Sequence, residues 1–520
     1  MTNSPTPPAP APDIPADVPP RPAPPHVAIV GGGLAGLAAA AALVDHGLRL
    51  TVFESRPRLG GRASSFVDPA TGEQVDNCQH VSMRCCTNLA DFCRRVGIED
   101  LFRREPAITF VGPGRRVSRL GAGVLPAPFH LAGSFLRARY LRWGDKLRVG
   151  YGLARLALGR DDPSAAADES FADWLRRHRQ TPRTMDLFWS TVLVSALNER
   201  LDRMDVGHAR KVFVDGFLTT RHGFEIEIPV VPLGDLYGSR LEAWLRGRGV
   251  DVRLTTGAGG LDVDDEGGLR GLRLRSGEPV AADFVILAVP FDRARGFLAP
   301  VAGEADALDR IGRLESSPIT GVHLWFDRAV CPHDHAALPG RLAQWVFNHT
   351  AIQGRSTAGH ESGQYLQVVI SASYDLVGKG RDEIREAVLA DLAEVWPGLK
   401  EARLVRSWVV TEHGATFAVR PGVEALRPSQ RTTMDGLFLA GDWTDTGWPA
   451  TMEGAVRSGY AAAQGILADL QRPERILRRD LEPERLAAWL LRRPETPRHP
   501  WPEIPEPVQD LDIPQIEETQ

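Results

Sequence analysis

The chain is poor in cysteine, modest in aromatic residues and without a strong excess of either charge. Five cysteines occur in 520 residues. Four cluster as C-x6-C-C-x6-C (Cys78, Cys85, Cys86, Cys93), and Cys331 stands alone. There is no C-x-x-C pair, so the spacing fits no ordinary zinc site, and no metal ligands are assigned. An odd count in a chain that reads as cytoplasmic argues for reduced, mostly buried thiols rather than a disulfide framework. The net charge of −5 excludes bulk nucleic-acid binding as the expected role. The N-terminus has neither a basic region nor an apolar core of the kind that marks a secretory leader. The only long uncharged apolar run, Val27 to Val44, is mostly glycine and alanine, so no membrane span is expected.

What is present begins with proline. Residues 1 to 25 hold 11 prolines and read as a disordered leader. Next comes HVAIVGGGLAGLAAAAALVDHGLRLTVFESRPRLGGR, residues 26 to 62. Its pattern is strand, glycine turn, alanine-rich helix, second strand, acid. Gly31, Gly33 and Gly36 fit G-x-G-x-x-G, and Glu54 closes the second strand. That is the dinucleotide fingerprint in its required context. Gly31 permits the tight turn, Gly33 lets the backbone approach a pyrophosphate, and Gly36 allows close helix packing. The amides at Leu34 and Ala35 open the helix and present a partial positive charge to phosphate. Glu54 can accept from ribose hydroxyls, with Ser55 and Arg56 beside it.

The fingerprint alone does not separate NAD from FAD. The next residues, through Gly60, Gly61 and Arg62, resemble the second signature of FAD enzymes of the flavin amine oxidase and phytoene desaturase superfamily. The resemblance places Gly61 under the pyrophosphate and Arg62 against it. GLFLAGDWTDTGWPATMEGAVRSGYAAAQGI, residues 436 to 466, resembles that superfamily's final flavin motif. It implies that Gly441 and Asp442 meet the ribityl or pyrophosphate part, and that the helix opening at Thr451 and Met452 faces the flavin N1–C2=O edge. It also implies that the backbone of Val252 lies near the adenine. FAD is the expected cofactor. The expected fold is α/β: a Rossmann-like FAD-binding domain of the glutathione-reductase type with an inserted mixed α+β substrate domain. The FAD-binding domain is expected over residues 26–110, 225–300 and 405–470. The substrate domain is expected over 111–224 and 301–404, with 111–224 helical. The tail, 471–520, carries one amphipathic stretch, PERLAAWLLRR, and then proline-rich sequence.

VDNCQHVSMRCCTNLADFCRRVGI, residues 75 to 98, resembles the DNGQH stretch of the hydroxysqualene dehydroxylases, the squalene-associated FAD-dependent desaturases. LPAPFHLA, FWSTVLVSALNERLDRMD, EIPVVPLGDLYGSRLEAWLRGRG and WPATMEGAVRSGYAAA resemble further segments of that family. Cys78 stands where the family pattern has glycine. The resemblance implies reductive loss of a hydroxyl from hydroxysqualene, with reduced FAD giving a hydride to an allylic cation-like carbon, and squalene as product. The electron donor that reduces the flavin is not legible. A hydroxide leaving group needs an acid or hydrogen-bond donor. His80, protonated, and Asp76, setting its tautomer or raising its pKa, are the candidates. Asn198 either meets a substrate oxygen or caps a helix. Asp205 and His208 read as surface residues. Competing functions are a carotenoid or phytoene desaturase, a flavin amine oxidase with Trp443 and Trp448 near the flavin, and a flavin-binding subunit without turnover.

Residues 124 to 160 carry apolar positions at helical spacing with Arg137, Arg139, Arg142, Lys146 and Arg148 between them. Two readings stand. One is a basic amphipathic surface on an anionic membrane, on the inner face of the cell membrane, suited to a long isoprenoid substrate. The other is an ordinary surface helix pair over the core.

Overall fold

The computed structural model describes residues 23–159, 169–355 and 362–491. The expected leader lies almost wholly outside them, as does the proline-rich end of the tail. Among the described residues no helix is long and apolar enough to cross a membrane.

The strand His26–Val30 is buried at all five positions, as a strand covered on both faces must be. It sits in the middle of a five-stranded parallel sheet whose other strands are Arg49–Phe53, Asp251–Arg253, Phe284–Leu287 and Leu437–Leu439. The spatial order is 251–253, 49–53, 26–30, 284–287, 437–439. Strands far apart in sequence are therefore neighbours, and the glycine turn after Val30 opens at the carboxyl end of the sheet, where ligands of such folds bind. The helix Leu34–Leu43 is buried over its whole length. Seven of its ten residues are alanine or glycine, so it has no wet face and packs tightly on all sides. Against it lies the helix Met452–Asp469.

A seven-stranded mixed sheet forms the second layer. Its order is 404–417, 316–326, 364–371, 345–348, 335–337, 107–112, 116–121. Alternation divides its faces. Val368 packs in a core with Ile384, Val388 and Leu392 of the helix Arg381–Val395. Its neighbour Val369 points into the central cavity. The expected helical region begins later than residue 111, because Ala107–Gly112 and Arg116–Gly121 form an antiparallel hairpin that completes this sheet. The helices Trp143–Leu158, Phe171–Arg177, Thr191–Leu197 and Val206–Lys211, with the π-helical turn Val212–Leu218, follow. Phe171, Trp174, Phe188, Trp189 and Phe213 form their shared aromatic core.

Candidate active site

Two glycine turns face each other at the carboxyl end of the parallel sheet. Gly31 has φ of +113°, and a Cβ there would lie 2.3 Å from the Ala288 carbonyl oxygen. A Cβ on Gly36 would lie 2.0 Å from the Gly31 carbonyl oxygen, so only glycine lets the helix start this close to the strand. Gly60 N–H donates to the Gly32 carbonyl at 2.8 Å. Gly61, at φ +59°, stands so close to Gly33 that a Cβ would be 3.0 Å from the Gly33 Cα. Side chains are thus excluded from both walls of one groove. Gly33 caps the helix without any side-chain hydrogen bond, which leaves the amides of Leu34 and Ala35 for an anion. Glu54, buried beside the groove, accepts Gly32 N–H at 2.8 Å through Oε2. Its Oε1 accepts Arg56 N–H at 2.8 Å and the Ser55 hydroxyl at 3.2 Å. A carboxylate has about four acceptor sites, so room is left for ribose hydroxyls.

The two flavin motifs, almost 400 residues apart in sequence, touch. Arg62 donates from Nη2 to Asp442 Oδ1 at 2.6 Å and from Nη1 to the Ala415 carbonyl at 2.7 Å. Burial opposes the charge on Arg62, but the Asp442 carboxylate outweighs it and holds the guanidinium pKa up. Gly441, at φ +148°, makes the turn, and a Cβ there would collide with the Trp443 indole nitrogen at 2.3 Å. Trp443 itself is anchored by its N–H to the Val289 carbonyl. Thr451 caps the helix Met452–Asp469 by accepting Gly454 N–H at 3.1 Å. The helix opens onto the same cavity as Thr451 and Met452.

Two residues that sequence reasoning missed hold this frame. Arg427, 3% exposed, donates to the carbonyls of Asp442 and Thr444 and to the Thr446 hydroxyl. Glu453 is fully buried and accepts Asn88 N–H and Leu89 N–H at the start of the helix Thr87–Arg95. An acid in the first turn of a helix was visible in sequence, but its partner 365 residues away was not. Val252 requires a correction. It is buried in the edge strand of the parallel sheet, its carbonyl accepts Arg246 Nη2 at 2.7 Å, and it does not line the cavity. Gly257, Ala258 and Gly259 form the wall there. The run GAGG was the available signal for a close backbone approach.

The segment Asn77 to Met83 lines the cavity, whereas Asp76 lies behind it. Asp76 Oδ1 accepts the Ser65 hydroxyl at 2.6 Å and Leu233 N–H at 2.9 Å, and Oδ2 has no partner among the described residues. Asp76 therefore fixes the base of the loop rather than the tautomer of His80. That tautomer is set by the Cys78 carbonyl, which accepts from His80 Nδ1 at 3.0 Å. Burial lowers the His80 pKa below its ordinary value, which works against the protonated imidazole expected as an acid. Cys78 adopts no positive φ, so the loop does not need glycine at that position. Burial pushes its thiol up to about 12. All five thiols are free; Cys85, Cys93 and Cys331 are buried, and Cys78 and Cys86 half-buried.

Asn198 ends the helix Thr191–Leu197 at φ +53°. Its amide donates to the Ser317 carbonyl and the Thr416 hydroxyl, and its oxygen accepts Ala372 N–H at 2.6 Å. Those bonds stitch helix to sheet and leave little for a substrate. His208 is buried, not exposed as expected. Burial opposes its charge, but Asp205 at 2.9 Å and Glu424 at 3.0 Å raise its pKa.

The groove and the loop open into one cavity of about 1050 Å³. Beyond the glycine turns much of its wall is apolar, with Ile108, Phe110, Val192, Phe217, Trp345 and Phe347. Lys211 lines it beside Trp448, its Nζ 4.7 Å from that ring and 3.1 Å from Asp215 Oδ2.

A parallel-sheet domain with a side-chain-free phosphate groove, opening into an apolar chamber, defines a nucleotide-cofactor oxidoreductase. The model of the family described as flavin containing amine oxidoreductase matches residues 34–467, and the chain belongs to that family. A 15-cis-phytoene desaturase of an Oncidium hybrid cultivar is 26% identical over 457 residues, covering 85% of this chain and 78% of that protein. A Synechococcus elongatus protein named as a probable zeta-carotene desaturase is 28% identical over 482 residues, 85% of this chain and 98% of its own. The solved cyclohexylamine oxidase of Brevibacterium oxydans shares the fold at a TM-score of 0.63 and 19% identity, over 86% of this chain and 100% of its own. The chain is an FAD-dependent oxidoreductase of the amine oxidase and carotenoid desaturase superfamily. The residues present fit that cofactor: Gly33 and Gly61 leave the groove its room, two helix N-termini open onto it, and Glu54 stands at its edge.

Proposed function

We propose that the enzyme acts on a long isoprenoid, and that its reaction is the reductive dehydroxylation of hydroxysqualene to squalene. The observation that carries the substrate class is the cavity wall. Beyond the flavin groove aliphatic and aromatic side chains make up most of it, interrupted by a few polar groups, as suits a hydrocarbon chain with one polar function. The dehydroxylation reading rests on the likeness of residues 75–98 and 188–205 to the hydroxysqualene dehydroxylases. FAD supplies two-electron transfer when bound. The chain's own residues hold it, keep water from the chamber, and supply a proton donor to the leaving oxygen. His80 is the weaker candidate, since Nδ1 is engaged by the Cys78 carbonyl and burial disfavours the charged ring. Lys211 carries an ammonium on the cavity wall, held by Asp215 and Asp480, and is our candidate for that donor.

A second reading, desaturation of a carotenoid precursor, is favoured by the two desaturase relatives. It needs no donor to a leaving oxygen. The two are separated by reducing the bound flavin anaerobically and adding hydroxysqualene. Flavin reoxidation with squalene in the extract supports dehydroxylation. No reoxidation, together with conversion of phytoene by the oxidised enzyme, sinks it and leaves desaturation.

A further inference from the structure

Scattered surface hydrophobics are normal, but contiguous ones call for a partner. Fourteen large hydrophobic side chains are exposed among the described residues, and ten of them fall in two adjoining segments. Nine lie between Val117 and Leu158, and the tenth is Trp489. On the helix Trp143–Leu158 the inward face carries Val149, Gly152, Leu156 and Ala157. The outward face carries a second apolar stripe: Trp143 at 68% exposure, Leu147 at 74%, Tyr151 at 47% and Leu158 at 59%. Spacings of four, four and seven put these on one side of the helix.

Charge sharpens the picture. Residues 115–159 contain nine arginines and lysines and one acid, in a chain whose net charge is −5. The single acid, Asp145, is buried and paired with Arg183 at 3.0 Å. Arg148 and Arg155 flank the stripe and are exposed. The segments are tied together. Lys146 Nζ donates to the Leu136 carbonyl at 2.6 Å, and Ala127 N–H donates to Glu484 at 3.1 Å, just before the helix Arg485–Leu491. Ala127, Ala157, Ala487 and Leu491 pack around Val214. Val214 belongs to the π-helical turn Val212–Leu218, whose Asp215, Gly216 and Phe217 line the cavity. One turn of chain thus separates the exposed surface from the chamber.

We propose that this surface docks on an anionic lipid bilayer, with the Trp143–Leu158 stripe and Trp489 in the interfacial layer and the arginines on the lipid headgroups. A bilayer suits the combination: aromatic and aliphatic groups on one stripe, positive charge on its borders, no exposed acid on the helix. The position next to the π-helical turn would deliver an apolar substrate to the cavity without passage through water. The inference goes beyond the substrate reading above, and vesicle binding is measured without turnover, so the two fail separately.

The test is co-sedimentation of the FAD-loaded full chain with phosphatidylcholine vesicles, with and without phosphatidylglycerol. The expected result is binding that is at least about tenfold tighter on the anionic vesicles and weakened by salt. Leu147→Ser with Tyr151→Ser should lower affinity at least about tenfold while FAD stays bound, because the replaced side chains face solvent. Arg148→Glu with Arg155→Glu should remove the anionic preference. Trp489→Ser, on the other helix, gives an independent measurement should the first pair disturb the fold. Absence of sedimentation, or binding untouched by these variants, overturns the proposal. A solution dimer by light scattering that Leu147→Ser dissociates would overturn it too, assigning the surface to a second copy.

Discussion

Replacing Gly459 by alanine should push apart the two helices whose N-termini open onto the flavin groove. Alanine is the better helix former by about 1 kcal/mol, so propensity alone favours the change. The structure reverses that sign. A Cβ on Gly459 would sit 2.1 Å from the Ala35 carbonyl oxygen and 2.9 Å from Ala39 N, both backbone atoms with no rotamer to change. Ordinary contact begins near 3.4 Å, so the helices must separate by about 1.3 Å along that line. Ala35 lies in the first turn of its helix, beside the groove. The helix cannot retreat toward the sheet, since Gly36 is already at the limit against the Gly31 carbonyl. Overpacking of this kind costs about 1–3 kcal/mol. Because the strain falls on the phosphate-facing turn, FAD affinity should drop about tenfold or more, the equivalent of about 1.4 kcal/mol. Gly150→Ala in the helix Trp143–Leu158 is the control, since nothing lies within 4 Å of its Cβ. It should stabilise, by up to about 1 kcal/mol. Thermal unfolding followed by flavin fluorescence, and titration of apoprotein with FAD, read both quantities. Gly459→Ala melting at or above wild type, with FAD affinity within about twofold, would refute the packing argument.

Arg427→Met should strip the Asp442–Thr446 turn of its buried donor at a cost of about 3–5 kcal/mol; full FAD content and an unchanged denaturant midpoint would count against it. The His208 pKa is raised in the folded state, so its contribution is fully present below about pH 6.5 and fades as pH rises through the raised value. The difference in Tm between wild type and His208→Gln should therefore shrink from pH 6 to pH 9, and a difference that grows over that range would contradict the pairing. On the acid side Glu424, whose neighbours His208 and Arg427 hold its pKa down to about 2 against the cost of burial, should keep its half of the bond through mildly acidic pH. If hydroxysqualene is the substrate, Lys211→Met should lower kcat about 100-fold or more with FAD retained, and His80→Asn should leave the pH profile between 6.5 and 8 unshifted. A large loss with His80→Asn and a small one with Lys211→Met would reverse the assignment.

The cofactor end was legible in sequence because its signals are local. Gly31, Gly36 and Gly61 answer to the backbone within a few residues, or to one close approach, and the strand–turn–helix context repeats that information. The substrate end is different. Asp76 and His80 are four residues apart in sequence, and the natural inference couples them. The fold separates them by sending the carboxylate of Asp76 to Leu233 and the imidazole of His80 to a carbonyl two residues back. No periodicity or spacing encodes a partner at residue 233. Lys211, Arg427 and Glu453 share that property: each looks like an ordinary charged residue until chain folding delivers a partner or a cavity. Val252 was misplaced for a related reason. A strand following a basic turn looks alike whether it lies beneath a ligand or beside it.

The two ends of the cavity thus follow different physical rules, and this bears on how the enzyme chooses its substrate. At the flavin end, space is reserved by removing side chains, and a single Cβ at Gly31, Gly36 or Gly441 meets an atom at 2.3 Å or less. Substitution there is punished whatever the chemistry performed. At the other end, the wall is made of Ile108, Phe110, Val192, Phe217, Trp345 and Phe347, drawn from strand and helix alike. Volume-conserving exchanges among such residues cost little stability, typically less than about 1.5 kcal/mol. They can therefore alter which hydrocarbon fits without unseating the cofactor. A shared flavin frame with relatives that act on different molecules is what that division predicts, and it locates the decisive difference in the polar groups that interrupt the apolar wall. In this chain the ammonium among them is Lys211, held over Trp448 between Asp215 and Asp480. On the dehydroxylation proposal that ammonium would meet the leaving oxygen; on desaturation it would serve only as the partner of Asp215 and Asp480.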